Sequence, residues 1–338
     1  MKYDYRLDLL RDGVKIGEAR SVSVDITFKK NADVCRGMKA VISSDLFRMS
    51  PGISFDMFSD RIRPVLIRGG LEEFFGTFMV IANPQNLSDT GSTYDLEAYD
   101  ETMKLKQAMY TQRTNYTAGT QFMTVINSIL TTCGFTQIVA IDSPAVLPND
   151  VEMAPGTTYL EAINAFLESI NYQHVHTDSY GRIILQPNEN RMVADHVYSN
   201  RIISPIVRTT DIYDLPNVLV GMASSPDRTP LYYVKENNDP RSAISIPKRG
   251  YRVVKTYNVQ NIADQATLES FIDQKFFDAS QITETVNVET SLEGDHEYGD
   301  TVQLKSNLIN GLFNEIEWSV SFGSNGTMRH RLERKVLV

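Results

Sequence analysis

Only two cysteines, Cys35 and Cys133, occur in 338 residues, with one tryptophan and five histidines. Two thiols are too few for a disulfide framework and fit a chain folded in a reducing cytoplasm. Five histidines leave little from which to build a serine or cysteine triad. The sequence contains no G-x-x-x-x-G-K-[ST] phosphate loop, no G-x-G-x-x-G after a strand, no H-E-x-x-H and no G-x-S-x-G, so the commonest sequence signs of nucleotide, zinc-protease and hydrolase chemistry are missing. Positive charge is also in deficit, with 33 Lys and Arg against 42 Asp and Glu and a formal net charge of −9. A field of that sign repels phosphate, so no general affinity for nucleic acid or an anionic membrane is expected. The N-terminal MKYDYRLDLL carries Asp4 and Asp8 where a signal peptide would need an apolar core. The longest uncharged run, Thr114 to Ile141, is rich in Thr, Asn and Gln and broken by Gly119 and Gly134. It reads as a helix with flanking strands, not a membrane span.

What is present is mostly strand. A hydrophobic content of 42% and a charged content of 22% are ordinary for a folded chain, and the length suggests two or three domains. YRLDLL and VKIGEARSVSVDITF flank a turn at Asp12–Gly13, and RPVLIRGG and LEEFFGTFMVIANP pivot on Gly69–Gly70; both read as hairpins. STYDLEAYDET puts Tyr94, Leu96 and Ala98 on one face. Short strands with regular turn signals indicate a barrel or sandwich.

The character changes after residue 112. Phe122, Val125, Ile126, Ile129 and Leu130 fall at helical spacing before Gly134, and Leu160, Ile163, Leu167 and Ile170 do so again, with Thr158 and Glu161 spaced as a capping box. GTQFMTVINSILTTCGF (119–135) aligns without gaps on GTTYLEAINAFLESINY (156–172), with Gly119/Gly156, Thr120/Thr157, Ile126/Ile163, Asn127/Asn164 and Leu130/Leu167 identical. Two copies are too few for a solenoid, so the pair reads as one small α/β domain, closed by NYQHVHT, a turn at Asp178–Gly181 and RIILQP. Pro205, Pro216, Pro226, Pro230, Pro240 and Pro247 punctuate a stretch of strand and loop. A third helix follows, capped by Asp264 with Leu268, Phe271, Ile272 and Phe276 inward, and then the strands ITETVNVETSL, DTVQLKS, LFNEIEWSVSF and TMRHRLERKVL, the last two joined by a turn at Ser324–Gly326. The expected fold is α+β and mainly β: a barrel-like domain over 1–112, the duplicated α/β unit over 113–190, an irregular β connecting segment over 191–250 and a second barrel-like domain with one helix over 251–338.

Three clusters could carry chemistry. SLEGDHEYGDTVQL holds Glu293, Asp295, His296, Glu297 and Asp300, but its Gly-Asp steps are turn chemistry and neighbours in an extended loop rarely converge on one ion; a polar turn leading into a strand is expected. His174 and His176 lie at i and i+2 of a strand, with Asp178 beyond, so both rings could face one ion, yet no third ligand is apparent. Arg329, His330, Arg331, Arg334 and Lys335 make a basic C-terminal strand without interleaved aromatics. It reads as a solvated edge or a salt-bridging surface and not as a nucleic-acid site. No catalytic, metal or cofactor-binding residue is assigned.

The order of several segments resembles the baseplate hub, or tail-tip base, of tailed bacteriophages and phage-tail-like particles. The segments are YDLEAYDETMKLKQ before the Gly119–Thr120 helix, APGTTYLEAINAFLESINYQHVHTDSYGRIILQP, PNVLVGMASSPDRTPLYYVKENNDPRSAISIPKRG (216–250), and LESFIDQKFF followed by GDTVQL (299–304) and EIEWSVSF. The resemblance implies a non-enzymatic homotrimer in which two similar barrels per chain make a pseudo-sixfold ring. Such a ring would join the hexameric tail tube to a threefold spike or tip, with the tape measure and other baseplate proteins as further partners and an acidic channel to which DNA would not stick. It implies a virion or tail-like particle assembled in a bacterial cytoplasm; where many tail-tip relatives continue into a wall-degrading region this sequence stops at Val338, so such an activity is expected in another chain. Alternatives are the hub of an extracellular contractile injection system or bacteriocin, a cell-wall hydrolase, or a glycan-binding module.

Overall fold

The computed structural model describes residues 3–49, 51–56, 58–88, 91–189, 192–199, 202–210, 212–213, 215–225, 228–259, 264–279, 281–322 and 326–337. The expected turn at Ser324–Gly326 and Pro226 lie wholly or partly outside these residues. The chain divides into two compact units: Met1–Pro205 with Val288–Arg331, and Ile206–Asn287 with Leu332–Val338.

The first unit opens with β1 (Asp4–Arg11), β2 (Val14–Lys29), β3 (Arg36–Met49), β4 (Arg61–Arg68), β5 (Leu71–Phe74), β6 (Phe78–Ala82), β7 (Gln85–Ser88) and β8 (Gly91–Asp100). Six of these close on themselves. In the order β1-β4-β6-β8-β3-β2 each pairs antiparallel with the next, and β2 returns to β1. Closure leaves the ring no free edge. The β1–β2 hairpin turns on Asp12 and Gly13, both at positive φ, as a two-residue hairpin requires. Leu7, Leu9, Ile26, Phe28, Met38, Phe78, Leu96 and Ala98 fill the interior. Of the face expected for Tyr94, Leu96 and Ala98, Leu96 and Ala98 are buried and Tyr94 packs against the cluster partly buried.

Residues 101–187 form α1 (Met103–Gln107), β9 (Thr114–Tyr116), α2 (Phe122–Thr132), β10 (Ile138–Ala140), β11 (Val151–Met153), α3 (Tyr159–Ser169), β12 (His176–Thr177) and β13 (Ile183–Leu185). The duplication is as clear in space as in sequence. The two 11-residue helices α2 and α3 pack on each other and share one apolar cluster. Their flanking segments exchange places. Met109 bridges Thr158, and Val146 bridges Gln121. Tyr159 N donates to Ala108 O and Phe122 N to Ala145 O, while Tyr110 N donates to Thr157 O and Leu147 N to Thr120 O. Each copy therefore donates the strand that covers the other's helix entry, the reciprocal arrangement of an isologous dimer fused into one chain. Thr158 completes the capping box, accepting from Glu161 N at 3.1 Å while Glu161 Oε2 accepts from Thr158 N at 2.9 Å. Thr158→Ala should lower unfolding free energy by about 1 kcal/mol, read as a fall in urea midpoint at constant slope; an unchanged midpoint would mean the cap is dispensable.

The unit continues through β14 (His196–Tyr198) and into β15 (Ile202–Thr210). The second unit contains β16 (Val218–Ser225), β17 (Arg228–Glu236), the short helix α4 (Ile246–Arg249), β18 (Val254–Asn258) and α5 (Gln265–Ala279). The segment expected as irregular β contains β16 and β17, which with β18 form a sheet ordered β17-β16-β18. Pro230 is tolerated there because β17 is an edge strand. Asp264 Oδ1 accepts from Thr267 N at 2.8 Å, capping α5 as expected. Leu268 and Ile272 of α5 pack on Leu219, and a Cβ built on Gly221 would lie 2.5 Å from Ile272 Cγ1. The helix sits that close because position 221 has no side chain. Gly221→Ala should cost about 1–3 kcal/mol by overpacking; equal thermal midpoints for variant and parent would contradict this contact.

The remaining strands are β19 (Gln281–Ser291), β20 (Thr301–Lys305), β21 (Asn310–Phe322) and β22 (Thr327–Leu337). In the first unit β2 is a shared strand. Val14–Ala19 pair with β1, whereas Val24–Lys29 pair antiparallel with Trp318–Phe322 and Glu317 of β21. β21 in turn joins β20, β22 and, through β22, β19. The second row of strands is thereby hydrogen-bonded to the wall of the closed barrel.

Candidate functional site

The densest group of chemistry-bearing side chains lies in the first unit, where three of the five histidines meet. β14 runs parallel to β20 with His196 opposite Val302, β22 alternates so that Met328 and His330 point inward, and His296 comes from the loop before β20. Glu315 sits where β21 leaves β20 for β2: Asn314 still pairs with Thr301, and Glu317 already pairs with Lys29. The buried positions change parity across this point, from Phe313 and Glu315 to Trp318, Val320 and Phe322.

Glu315 is 0% exposed, His296 1% and His330 2%. Glu315 Oε2 lies 2.7 Å from His296 Nδ1, and Oε1 lies 2.6 Å from His330 Nδ1. A carboxylate only accepts, so both rings donate to it through Nδ1. The outer ring nitrogens are also held: His296 Nε2 is 2.9 Å from Tyr198 Oη, and His330 Nε2 is 2.8 Å from Thr290 Oγ1. His196 stacks on His296 with centroids 3.7 Å apart and planes 5° from parallel, and its Nε2 lies 3.0 Å from Asp300 Oδ2. Burial alone would raise the Glu315 carboxyl, but the two imidazoles hold it well below the usual carboxylate range. Burial pushes His330 down, against the pull of Glu315. For His196 burial acts downward too, but the Asp300 carboxylate outweighs it and the ring is raised. One ligand atom each from His196, His296 and Asp300, and likewise from His296, Glu315 and His330, lies within 4.8 Å of the others. Buried as they are, Glu315, His296 and His330 offer no approach to a polymeric substrate, so acid–base work on one has no geometric basis here.

Beside this group lies Arg36, 0% exposed. Its Nη1 donates to Phe75 O at 3.0 Å, and its Nη2 to His296 O at 3.0 Å and Glu297 Oε2 at 2.7 Å. The guanidinium lies 5.6 Å from the Phe28 ring and 5.7 Å from the Trp318 ring. Glu297 Oε1 accepts from Ser179 N at 2.7 Å. Burial pushes the Glu297 carboxyl up, against the opposing charge of Arg36.

The segment 293–300 is therefore a loop with turn geometry, as its glycines indicate, but not merely a polar one. Asp295 accepts from Phe74 N at 3.1 Å and donates through its own N to Phe74 O, and Gly294 N donates to Glu73 Oε2. Glu293 lies close enough to raise the Tyr198 hydroxyl together with burial, while His296 and Asp300 turn inward. His174 and His176 do not converge. The ring of His174 reaches Glu168 at 2.7 Å on the exposed surface, whereas His176 is buried, stacked 4.2 Å from Tyr298. Asp178 accepts from Tyr180 N and Arg182 N and closes its own turn. On the C-terminal strand Arg329, Arg331 and Lys335 are exposed, and Arg334 reaches buried Glu284 at 2.6 Å, which Arg208 also contacts. Cys35 is a buried free thiol pushed up to about 12 by burial, and Cys133 is also free. No helix among the described residues is long and apolar enough to cross a membrane.

Among the solved structures that match almost the whole chain are two tail proteins. A tail protein from Neisseria meningitidis MC58 aligns over 98% of this chain and 96% of its own, with TM-score 0.66 at 15% identity. The 43 kDa tail protein of prophage MuSo2 from Shewanella oneidensis aligns over 99% and 98%, with TM-score 0.65 at 8% identity. The chain has the fold of phage tail proteins. A component of the type VI secretion system of E. coli shares it more distantly, with TM-score 0.51 at 6% identity over 96% of this chain and 76% of that one. No protein-family model and no curated protein matches the sequence.

Proposed function

We propose that this chain is the structural hub of a phage or phage-like tail baseplate, three copies of which form a pseudo-sixfold ring joining a hexameric tail tube to a threefold spike or tip. The observation that carries the reading is the shared strand β2. One chain presents a closed barrel and, bonded to its wall, a second row of strands, so three chains would offer six sheet modules to a sixfold tube. The likeness in fold to two phage tail proteins over nearly their full lengths supports it. In this reading residues 1–112 and 251–338 supply the two barrel-like halves, and 113–190 form an outer domain linked through 191–250. The partners are the tube, the spike or tip, the tape measure and other baseplate proteins, and the hub has no catalytic role.

Absolute mass by light scattering, with averaged electron images of the same peak, tests this. A mass of three times 38.2 kDa with ring-shaped particles is the expected result. A chain that stays monomeric when mixed with its tube and spike proteins would overturn it. The likeness to the type VI component favours one second reading, the hub of a contractile injection system; capsid and packaging genes beside the coding sequence would count against that alternative.

A further inference from the structure

We propose that His296, Glu315 and His330 form a buried site for a divalent first-row transition metal, with zinc as the probe ion. Two imidazoles and a carboxylate are a donor set that suits zinc and its neighbours in the series. The three side chains already face one another, with both Nδ1 atoms on the two oxygens of one carboxylate at 2.6 and 2.7 Å. Ligands around a tetrahedral ion at 2.0–2.1 Å stand about 3.3 Å apart, so each contact opens by less than about 1 Å when the ion takes the place of the two Nδ1 protons and each neutral ring carries its proton on Nε2 instead, donating to Tyr198 Oη or Thr290 Oγ1.

The surroundings are those of a metal centre. Each ring is oriented through its far nitrogen by a hydroxyl, Tyr198 Oη for His296 and Thr290 Oγ1 for His330, as outer partners orient metal-bound histidines. Charge balance points the same way. Glu315 and Asp300 bring two carboxylates into the core beside three imidazoles. Buried charge without compensation is unfavourable, and one dipositive ion offsets both carboxylates while leaving all three rings neutral. His196, stacked on His296 and bound to Asp300, closes the next layer around the site.

The full chain is stripped with chelator, refilled with zinc alone and measured three ways. Metal analysis should give one zinc per chain at low-micromolar free zinc, and the thermal midpoint should rise by several degrees. X-ray absorption of the zinc-loaded parent should show two imidazoles with oxygen and no sulfur. His330→Gln should lose zinc affinity at least tenfold, while His174→Ala, which removes the exposed histidine, should keep it. A folded parent that takes up no zinc, a sulfur-containing shell that points to Cys35 or Cys133, or full zinc retention by His330→Gln would each overturn the site. Should His330→Gln fail to fold, His196→Gln decides: it should keep zinc in the same two-imidazole shell, and loss of zinc there would place the ion on His196, His296 and Asp300 and overturn the site.

Discussion

Replacing Arg36 by methionine should lower the unfolding free energy by about 3 kcal/mol, at the lower end of what breaking a buried ion pair costs because Glu297 keeps some exposure. The guanidinium is fully buried and ties three places together: Phe75 after β5, His296 in the loop before β20, and Glu297, which in turn holds Ser179 beside β12. Methionine fills a similar volume against Phe28 and Trp318 but donates nothing. The Phe75 and His296 carbonyls then lose their donors, each worth about 1–3 kcal/mol when buried, and Glu297 loses its counter-ion. Arg36→Lys should fall between, since one ammonium cannot reproduce the fork. Urea unfolding of the three proteins measures it. A loss below about 1 kcal/mol for Arg36→Met would mean that stacking on Phe28 and Trp318, and not the polar fork, keeps the arginine there. The displaced loop would also loosen His296, so the zinc affinity of Arg36→Met should fall with its stability.

Most of what is local was legible in the sequence. The Asp12–Gly13 and Gly69–Gly70 turns, the period-2 faces and the two helical stripes depend on neighbours a few residues apart, and each became the element its pattern dictates. The duplication was legible for the same reason, although its reciprocal strand exchange was not: nothing in GTQFMTVINSILTTCGF tells which copy covers which. β structure was legible between residues 191 and 250, but its sheet order was not, and Pro230 marks no break in Arg228–Glu236 because that strand lies at an edge. The histidine cluster was the largest omission. His196, His296, Glu315 and His330 come from four segments and have no common spacing, and the burial of Glu315 falls where β21 changes partner and its buried positions change parity. Such a site is a product of topology, and a linear pattern does not contain it.

His176 makes the acid side of the stability curve testable. Burial, with Arg36 and Lys30 nearby and only partly opposed by the His174 carbonyl and Asp178, pushes its ring down to about 4, whereas in the unfolded chain it titrates near 6.5. The neutral ring stacks on Tyr298. Between those values the unfolded state binds a proton that the folded state refuses, so stability must fall as pH drops. The slope is about 1.4 kcal/mol per pH unit for one such group, and its contribution is complete above pH 6.5. His330, also pushed down by burial, acts in the same direction. His196, whose ring is raised, acts oppositely, its contribution fading as pH rises through its folded value. His176→Phe keeps a flat ring against Tyr298 and removes one titrating group. Unfolding free energies from urea titrations at pH 4.5, 5.5 and 6.5 should therefore rise with pH in the parent and rise less in the variant, by about one proton's slope. Parallel curves would show that His176 takes up its proton as readily in the folded chain as in the unfolded one, and would contradict its burial against Tyr298.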